Sequence, residues 1–153
     1  MIVFRLSKSK YAGDLSGKGA EKIGGRWNSK GTALVYTSES RALCTTEIAV
    51  HTPLGNLPSD YQLVAIEIPD EIQIKEIAIA GLPLEWNSIP HSPSSQKTGD
   101  RFVAEGKFLA LKVPSIVVPG DYNYLLNPAH PEFYKVKIIS IEPFNFDERL
   151  FVR

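Results

Sequence analysis

No apolar run in this 153-residue chain is longer than a β-strand. A membrane-crossing helix needs about 20 predominantly apolar residues. The pattern therefore predicts short strands and helices in a soluble α+β domain. Residues 2–6, 33–37, 61–68, 107–113 and 134–141 read as strands from their β-branched and aromatic content. Ile72, Ile74, Ile77 and Ile79 add an alternation that slips phase near Lys75, which predicts a bulge or two short strands. Thr37 or Ser38 is the expected N-cap of a helix running to about His51, with Pro53 and Gly55 beyond its end. At 100° per residue, Ser40, Leu43, Cys44, Glu47, Val50 and His51 share one face of that helix, with Glu47 in its middle. A two-turn helix is expected at 98–106, closed by Gly106, and Asn127-Pro128 should cap a short turn. Residues 81–99, rich in proline and serine, read as a long surface loop. The length fits one domain, residues 1–153, and no internal repeat appears.

Several functions are excluded early. Lysine plus arginine number 17 and aspartate plus glutamate 17, so no net positive field recruits nucleic acid or an anionic membrane. Cys44 is the single cysteine, which rules out an intramolecular disulfide and suits a reducing compartment; the cytoplasm is the expected location. Residues 1–8 lack the pattern of a signal peptide. His51, His91 and His130 are scattered without metal-ligand spacing, so no catalytic metal is expected. No Walker A loop, dinucleotide fingerprint or nucleophile-elbow serine is present.

What stands out is Gly24-Gly25-Arg26-Trp27-Asn28-Ser29-Lys30-Gly31, with Tyr36 on the strand that follows and Glu47 on the next helix. The paired glycines allow a tight turn or close approach of a ligand, and Arg26 offers a planar donor array for phosphate or carboxylate oxygens. A carboxylate in the middle of a packed helix needs partners. Arg26 is one candidate and His51, four residues on, another. Ser115 follows Pro114, which removes a ladder donor and leaves a hydroxyl at a strand edge or break. His130, flanked by proline, reads as a structural residue. An arginine, a tyrosine, a glutamate and a few hydroxyls suit cleavage at a sugar's anomeric carbon when the leaving group is already good. The transition state there is an oxocarbenium cation, which one carboxylate can stabilise while an arginine clamps a pyrophosphate. Nicotinamide leaving NAD is the natural case.

The chain resembles the RES-domain family, named for an Arg, a Glu and a Ser. The resemblance is carried by Gly19-Ala20 with Gly24-Gly25-Arg26-Trp27-Asn28, by Val35-Tyr36-Thr37 and Thr46-Glu47, and by Val113-Pro114-Ser115. It continues through Asn123-Tyr124-Leu125-Leu126-Asn127-Pro128-Ala129-His130-Pro131 to Phe146-Asp147-Glu148-Arg149-Leu150. Phe102 stands where tryptophan would be expected, a packing substitution. The resemblance implies an ADP-ribosyltransferase-like fold of two packed small β-sheets with short flanking helices. It also implies the toxin of a bacterial type II toxin-antitoxin pair, one that consumes NAD by hydrolysis or phosphorolysis. The named residues fall on Arg26, Glu47 and Ser115, with Tyr36 as the pocket aromatic and Trp27 and Asn127 among the substrate contacts. NAD is then substrate rather than cofactor, and inorganic phosphate the co-substrate of phosphorolysis. The implied partner is an Xre-like antitoxin that covers the cleft and binds DNA itself; a homo-oligomer and a hetero-oligomer with the antitoxin are both left open. The alternatives are a mono-ADP-ribosyltransferase with a protein target and a nucleotide-binding module without turnover.

Overall fold

A strand buried on both faces needs no polar alternation, and Leu63, Val64, Ala65 and Ile66 are all buried. In the computed structural model, which describes residues 1–152, this strand belongs to a seven-stranded sheet. The elements along the chain are β1 (Ile2–Lys8), α1 (Lys18–Ile23), β2 (Val35–Ser38), α2 (Arg41–His51), β3 (Tyr61–Glu67), β4 (Ile74–Glu76), α3 (Pro93–Glu105), β5 (Ala110–Pro114), β6 (Tyr122–Leu126) and β7 (Lys137–Phe144), with short 3-10 turns between them. Their order in the sheet is β4-β5-β6-β2-β1-β3-β7. All neighbours are antiparallel except β4 and β5.

The sheet is narrow at one place. β1 pairs with β3 along its whole length, from Ile2↔Glu67 to Lys8↔Tyr61. With β2 it pairs only at Phe4↔Ser38. The two small sheets expected are therefore two lobes of one hydrogen-bonded sheet, β4-β5-β6-β2 and β1-β3-β7, joined by that single pair. Beyond it β1 and β2 part, leaving a fork.

Successive residues of a strand point to opposite faces, and the core divides accordingly. Val3 packs with Val35, Val64, Ile66 and Leu126 on one side. Phe4 and Leu6 pack with Cys44, Leu63, Phe146 and Phe151 on the other, beneath α2. A third cluster joins Trp27, Leu34, Phe102, Leu111, Val113 and Leu125. Phe102, 2% exposed, fills space there as a packing residue.

Several local expectations shift. Thr37 and Ser38 remain in the ladder with β6, opposite Tyr124 and Asn123, so neither caps α2. Ser40 does, its hydroxyl accepting from the Leu43 N–H at 3.0 Å. α3 begins at Pro93 rather than near Thr98, because a proline at the first helical position loses no hydrogen bond. Gly106 ends it in the left-handed conformation, as expected. β6 and the short α1 were not foreseen, and the isoleucine alternation contributes one three-residue strand, β4.

Gly99 of α3 packs directly against the backbone of the 24–31 loop. A Cβ there would lie 1.6 Å from the Trp27 carbonyl oxygen. Glycine to alanine inside a helix normally stabilises by about 1 kcal/mol; here the clash reverses the sign. Gly99→Ala is expected to lose about 1–3 kcal/mol, read as a lower urea midpoint, and a raised midpoint would contradict this packing.

Candidate active site

The 24–31 loop is built around the side chain of Asn28, which is fully buried. Its amide donates to the carbonyls of Ala20 at 2.8 Å and Thr32 at 3.0 Å, and its Oδ1 accepts from the Tyr36 hydroxyl at 2.6 Å. The same hydroxyl accepts from the Trp27 N–H at 3.0 Å. Gly25 must be glycine, because an added Cβ would sit 2.7 Å from that hydroxyl. From α3, Gln96 donates to the carbonyls of Gly25 and Asn28, and Asp100 accepts from the Ser29 N–H and hydroxyl. Burial pushes the Tyr36 phenol far above its ordinary range, so the ring is a neutral wall.

Arg26 leaves this loop half-buried. Its NH1 donates to the carbonyls of Trp86 at 3.0 Å and Ser88 at 2.9 Å. One end of the guanidinium is thus tied to the proline-rich connection, and Nε and NH2 have no recorded partner among the described residues. Burial lowers the Arg26 pKa from its ordinary value, opposed by the nearby charge of Glu47. The two are electrostatic neighbours without a hydrogen bond.

Glu47, half-buried near the middle of α2, finds its donors across the sheet. The Ser115 hydroxyl donates to its Oε1 at 3.0 Å, and Asn123 Nδ2 to the same oxygen at 2.9 Å. Neither Arg26 nor His51 bonds to it. Ser115, 3% exposed, also accepts from the N–H groups of Val117 and Val118, each at 3.1 Å. The end of β5 at Pro114 is what turns these donors onto the serine.

A cavity of about 270 Å³ opens in the fork where β1 and β2 part. Phe4, Arg5 and Leu6 line it from β1, Tyr36, Thr37 and Ser38 from β2, Cys44, Glu47, Ile48 and His51 from α2, and Asn123 from β6. Glu47 is the one carboxylate among these lining residues. The volume lies near the lower end of small-molecule sites, about 300–1,000 Å³. Cys44 is packed rather than poised: burial raises its thiol to about 11. Burial also lowers the pKa of Arg5, countered by Asp14.

A model of the RES domain matches residues 2–147 of the chain. The chain belongs to the RES-domain family. A Sphingobium sp. (strain YBL2) protein named Prs ADP-ribosylating toxin is 41% identical over 146 residues, 94% of this chain and 91% of its own length. Toxin Res of Photorhabdus laumondii is 36% identical over 152 residues, 98% and 97% of the two chains. Among solved structures, a chain of the M. tuberculosis MbcT–MbcA toxin–antitoxin complex superposes with a TM-score of 0.74, covering 94% of this chain and 84% of that one. At 18% identity, that likeness speaks to the α+β fold.

In this RES domain, Tyr36 and Glu47 line one cavity; Ser115, hydrogen-bonded to Glu47, and Arg26, within reach of the charge on Glu47, both lie outside its lining. Trp27 and Asn127, expected against substrate, lie outside the lining. Trp27 is 3% exposed and stacks on Trp86 with ring centroids 6.4 Å apart; Asn127 is 1% exposed and its Oδ1 accepts from the Ala129 N–H. Both are held by the core, and Asn127 makes the capped turn anticipated for it. Arg5 and Asn123 went unnoticed as site residues. Nothing local singles out Arg5 within a strand, and Asn123 becomes visible only once β6 is paired with β2.

Removing the Tyr36 hydroxyl strands two buried groups, the Trp27 N–H and Asn28 Oδ1. Tyr36→Phe is expected to lose about 1–3 kcal/mol in urea unfolding. A loss near zero would show that the hydroxyl does not hold the loop.

Proposed function

We propose that this RES domain is the toxin of a toxin-antitoxin pair and cleaves the nicotinamide–ribose bond of NAD. The supporting observation is a half-buried carboxylate, fixed through one oxygen by two neutral donors, that is the only carboxylate lining its cavity. A glycosidase acting on a poor leaving group needs a second carboxyl as acid. Nicotinamide departs from a pyridinium as a neutral molecule and needs no proton.

On this reading the C1′–N bond breaks with its electron pair going to nicotinamide. Positive charge develops on the ribose, and Glu47 Oε2 meets the ribose hydroxyls and stabilises that charge. The Tyr36 ring bounds the nicotinamide. Arg26 offers Nε and NH2 to the pyrophosphate, its other end held by Trp86 and Ser88. Water then adds to the cation and loses a proton to give ADP-ribose; inorganic phosphate in its place gives the 1″-phosphate. The cavity accommodates the nicotinamide riboside end, and the adenosine end lies beyond it. Tyr36, Glu47 and Arg26 meet the substrate, with Glu47 nearest the reacting carbon, and Ser115 acts through Glu47. The cytoplasm supplies the NAD, and an Xre-like antitoxin covers the cleft and carries the DNA-binding function.

Transfer of ADP-ribose to a protein is the second reading. It is favoured by the name of the Sphingobium relative. The two readings share every step until an acceptor attacks.

The purified protein is expected to release nicotinamide from NAD, followed by chromatography. Glu47→Gln keeps an acceptor oxygen for Ser115 and Asn123, so its fold should hold while turnover falls about 100-fold or more, with NAD affinity little changed. Unchanged turnover in that variant would sink the assignment. Radiolabel from adenylate-labelled NAD appearing on protein would select the transferase.

A further inference from the structure

Glu47 has two oxygens, and the structure treats them differently. Ser115 Oγ and Asn123 Nδ2 both donate to Oε1, at 3.0 and 2.9 Å. Oε2 has no hydrogen bond among the described residues. The two donors differ in what fixes them. Ser115 is locked by its own neighbours, accepting from the N–H groups of Val117 and Val118 while its proton goes to Glu47. Asn123 carries an amide, and an ionised carboxylate can only accept, so the NH2 faces Glu47. Ser38 holds the other end of the amide, its hydroxyl donating to Asn123 Oδ1 at 2.8 Å. Ser38 is 5% exposed and stands opposite Asn123 in the β2–β6 ladder, and it also forms the single β1–β2 pair with Phe4. The relay Ser38–Asn123–Glu47 therefore starts at the junction of the two lobes and ends on the carboxylate in the cavity.

We propose that Asn123 is a positioning residue of the reaction, pinning Oε1 together with Ser115 so that Oε2 alone meets the ribose. The proposal rests on the NAD-cleavage reading above. A glutamate held at one donor only can swing about its terminal torsion, and His51, one helical turn on and lining the same cavity, is the partner it would find. Two donors on one oxygen remove that freedom. They also explain why an amide and not a carboxylate occupies position 123: a second negative charge at 2.9 Å would oppose ionisation of Glu47. The other ionisable groups around the carboxylate are Arg5 from β1, Tyr36 from β2, Cys44 and His51 from α2, and Arg26 from the loop. Glu39 accepts from the N–H of Tyr122, the residue before Asn123.

The test compares Asn123→Ala, Asn123→Asp and Ser38→Ala with the wild type in nicotinamide release across pH 5–9, alongside urea unfolding of each. Asn123→Ala should lower kcat by about 10-fold or more with KM for NAD within about threefold, since the change acts through Glu47 and not on substrate. Ser38→Ala should fall in the same direction by less. Asn123→Asp keeps the acceptor for Ser38 but places two carboxylates together, so the acid limb of its kcat profile should move upward by about one pH unit or more. A purely structural role would lower stability without moving that limb. If Asn123→Ala does not fold, the limb of the aspartate variant decides. An active wild type with an unmoved limb and kcat within twofold in the folded variants overturns the role of Asn123 alone. A wild type that releases no nicotinamide overturns the NAD reading and this inference with it.

Discussion

A carboxylate in the middle of a packed helix must find hydrogen-bond donors or forgo its charge. Glu47 finds them on two segments distant in the chain, Ser115 after β5 and Asn123 in β6. These bonds tie α2 to the β4-β5-β6-β2 lobe, while Leu43 and Cys44 of the same helix are buried, Cys44 against Phe4 and Leu6 of β1. The helix thus bridges both lobes at the place where backbone pairing between them is reduced to Phe4↔Ser38. A full β1–β2 ladder would close the fork. The single pair leaves a cavity, and the bridge keeps its walls in register.

The second wall is held by the opposite economy of polar groups. Tyr36 and Asn28 satisfy each other and the surrounding loop backbone, so no buried side-chain polar atom among the described residues is left without a partner. Arg26 sits between this rigid loop and the 81–92 connection, which grips NH1 through two carbonyls. Neutral carbonyls orient a guanidinium without neutralising it. The remaining donors keep their full charge for an anion, within the field of Glu47. On the proposed reading, binding of the pyrophosphate falls to this cation and the chemistry to Glu47.

Much of this was legible before the structure. The helical face of Ser40, Leu43, Cys44, Glu47, Val50 and His51 follows from 3.6-residue periodicity, and it holds in part: Leu43 and Cys44 are buried and Glu47 and His51 line the cavity, while Ser40 is the cap and Val50 is 56% exposed. The break at Pro114-Ser115 also reads correctly, because a missing N–H is a local property. What failed was non-local. Asn123 lies in Tyr122–Leu126, whose tyrosine and asparagine mixture between Gly120-Asp121 and Asn127-Pro128 hides a central strand. Its partners Ser38 and Glu47 are 85 and 76 residues away in sequence. Trp27 and Asn127 show the converse situation. Both sit in conspicuous motifs, yet stacking on Trp86 and a capped turn account for them. The proline-serine stretch before Thr98 hid the first turn of α3, since proline is as welcome at a helix start as in a loop.

The central claim is spatial: one substrate end occupies the fork between β1 and β2, beneath Glu47. A crystal structure of Glu47→Gln soaked with NAD tests it most directly. The account predicts the nicotinamide in the fork beside Tyr36, its ribose hydroxyls at residue 47, and the pyrophosphate on Nε and NH2 of Arg26. NAD bound elsewhere on the domain with the fork empty, or lying in the fork with its adenine at residue 47, would contradict it.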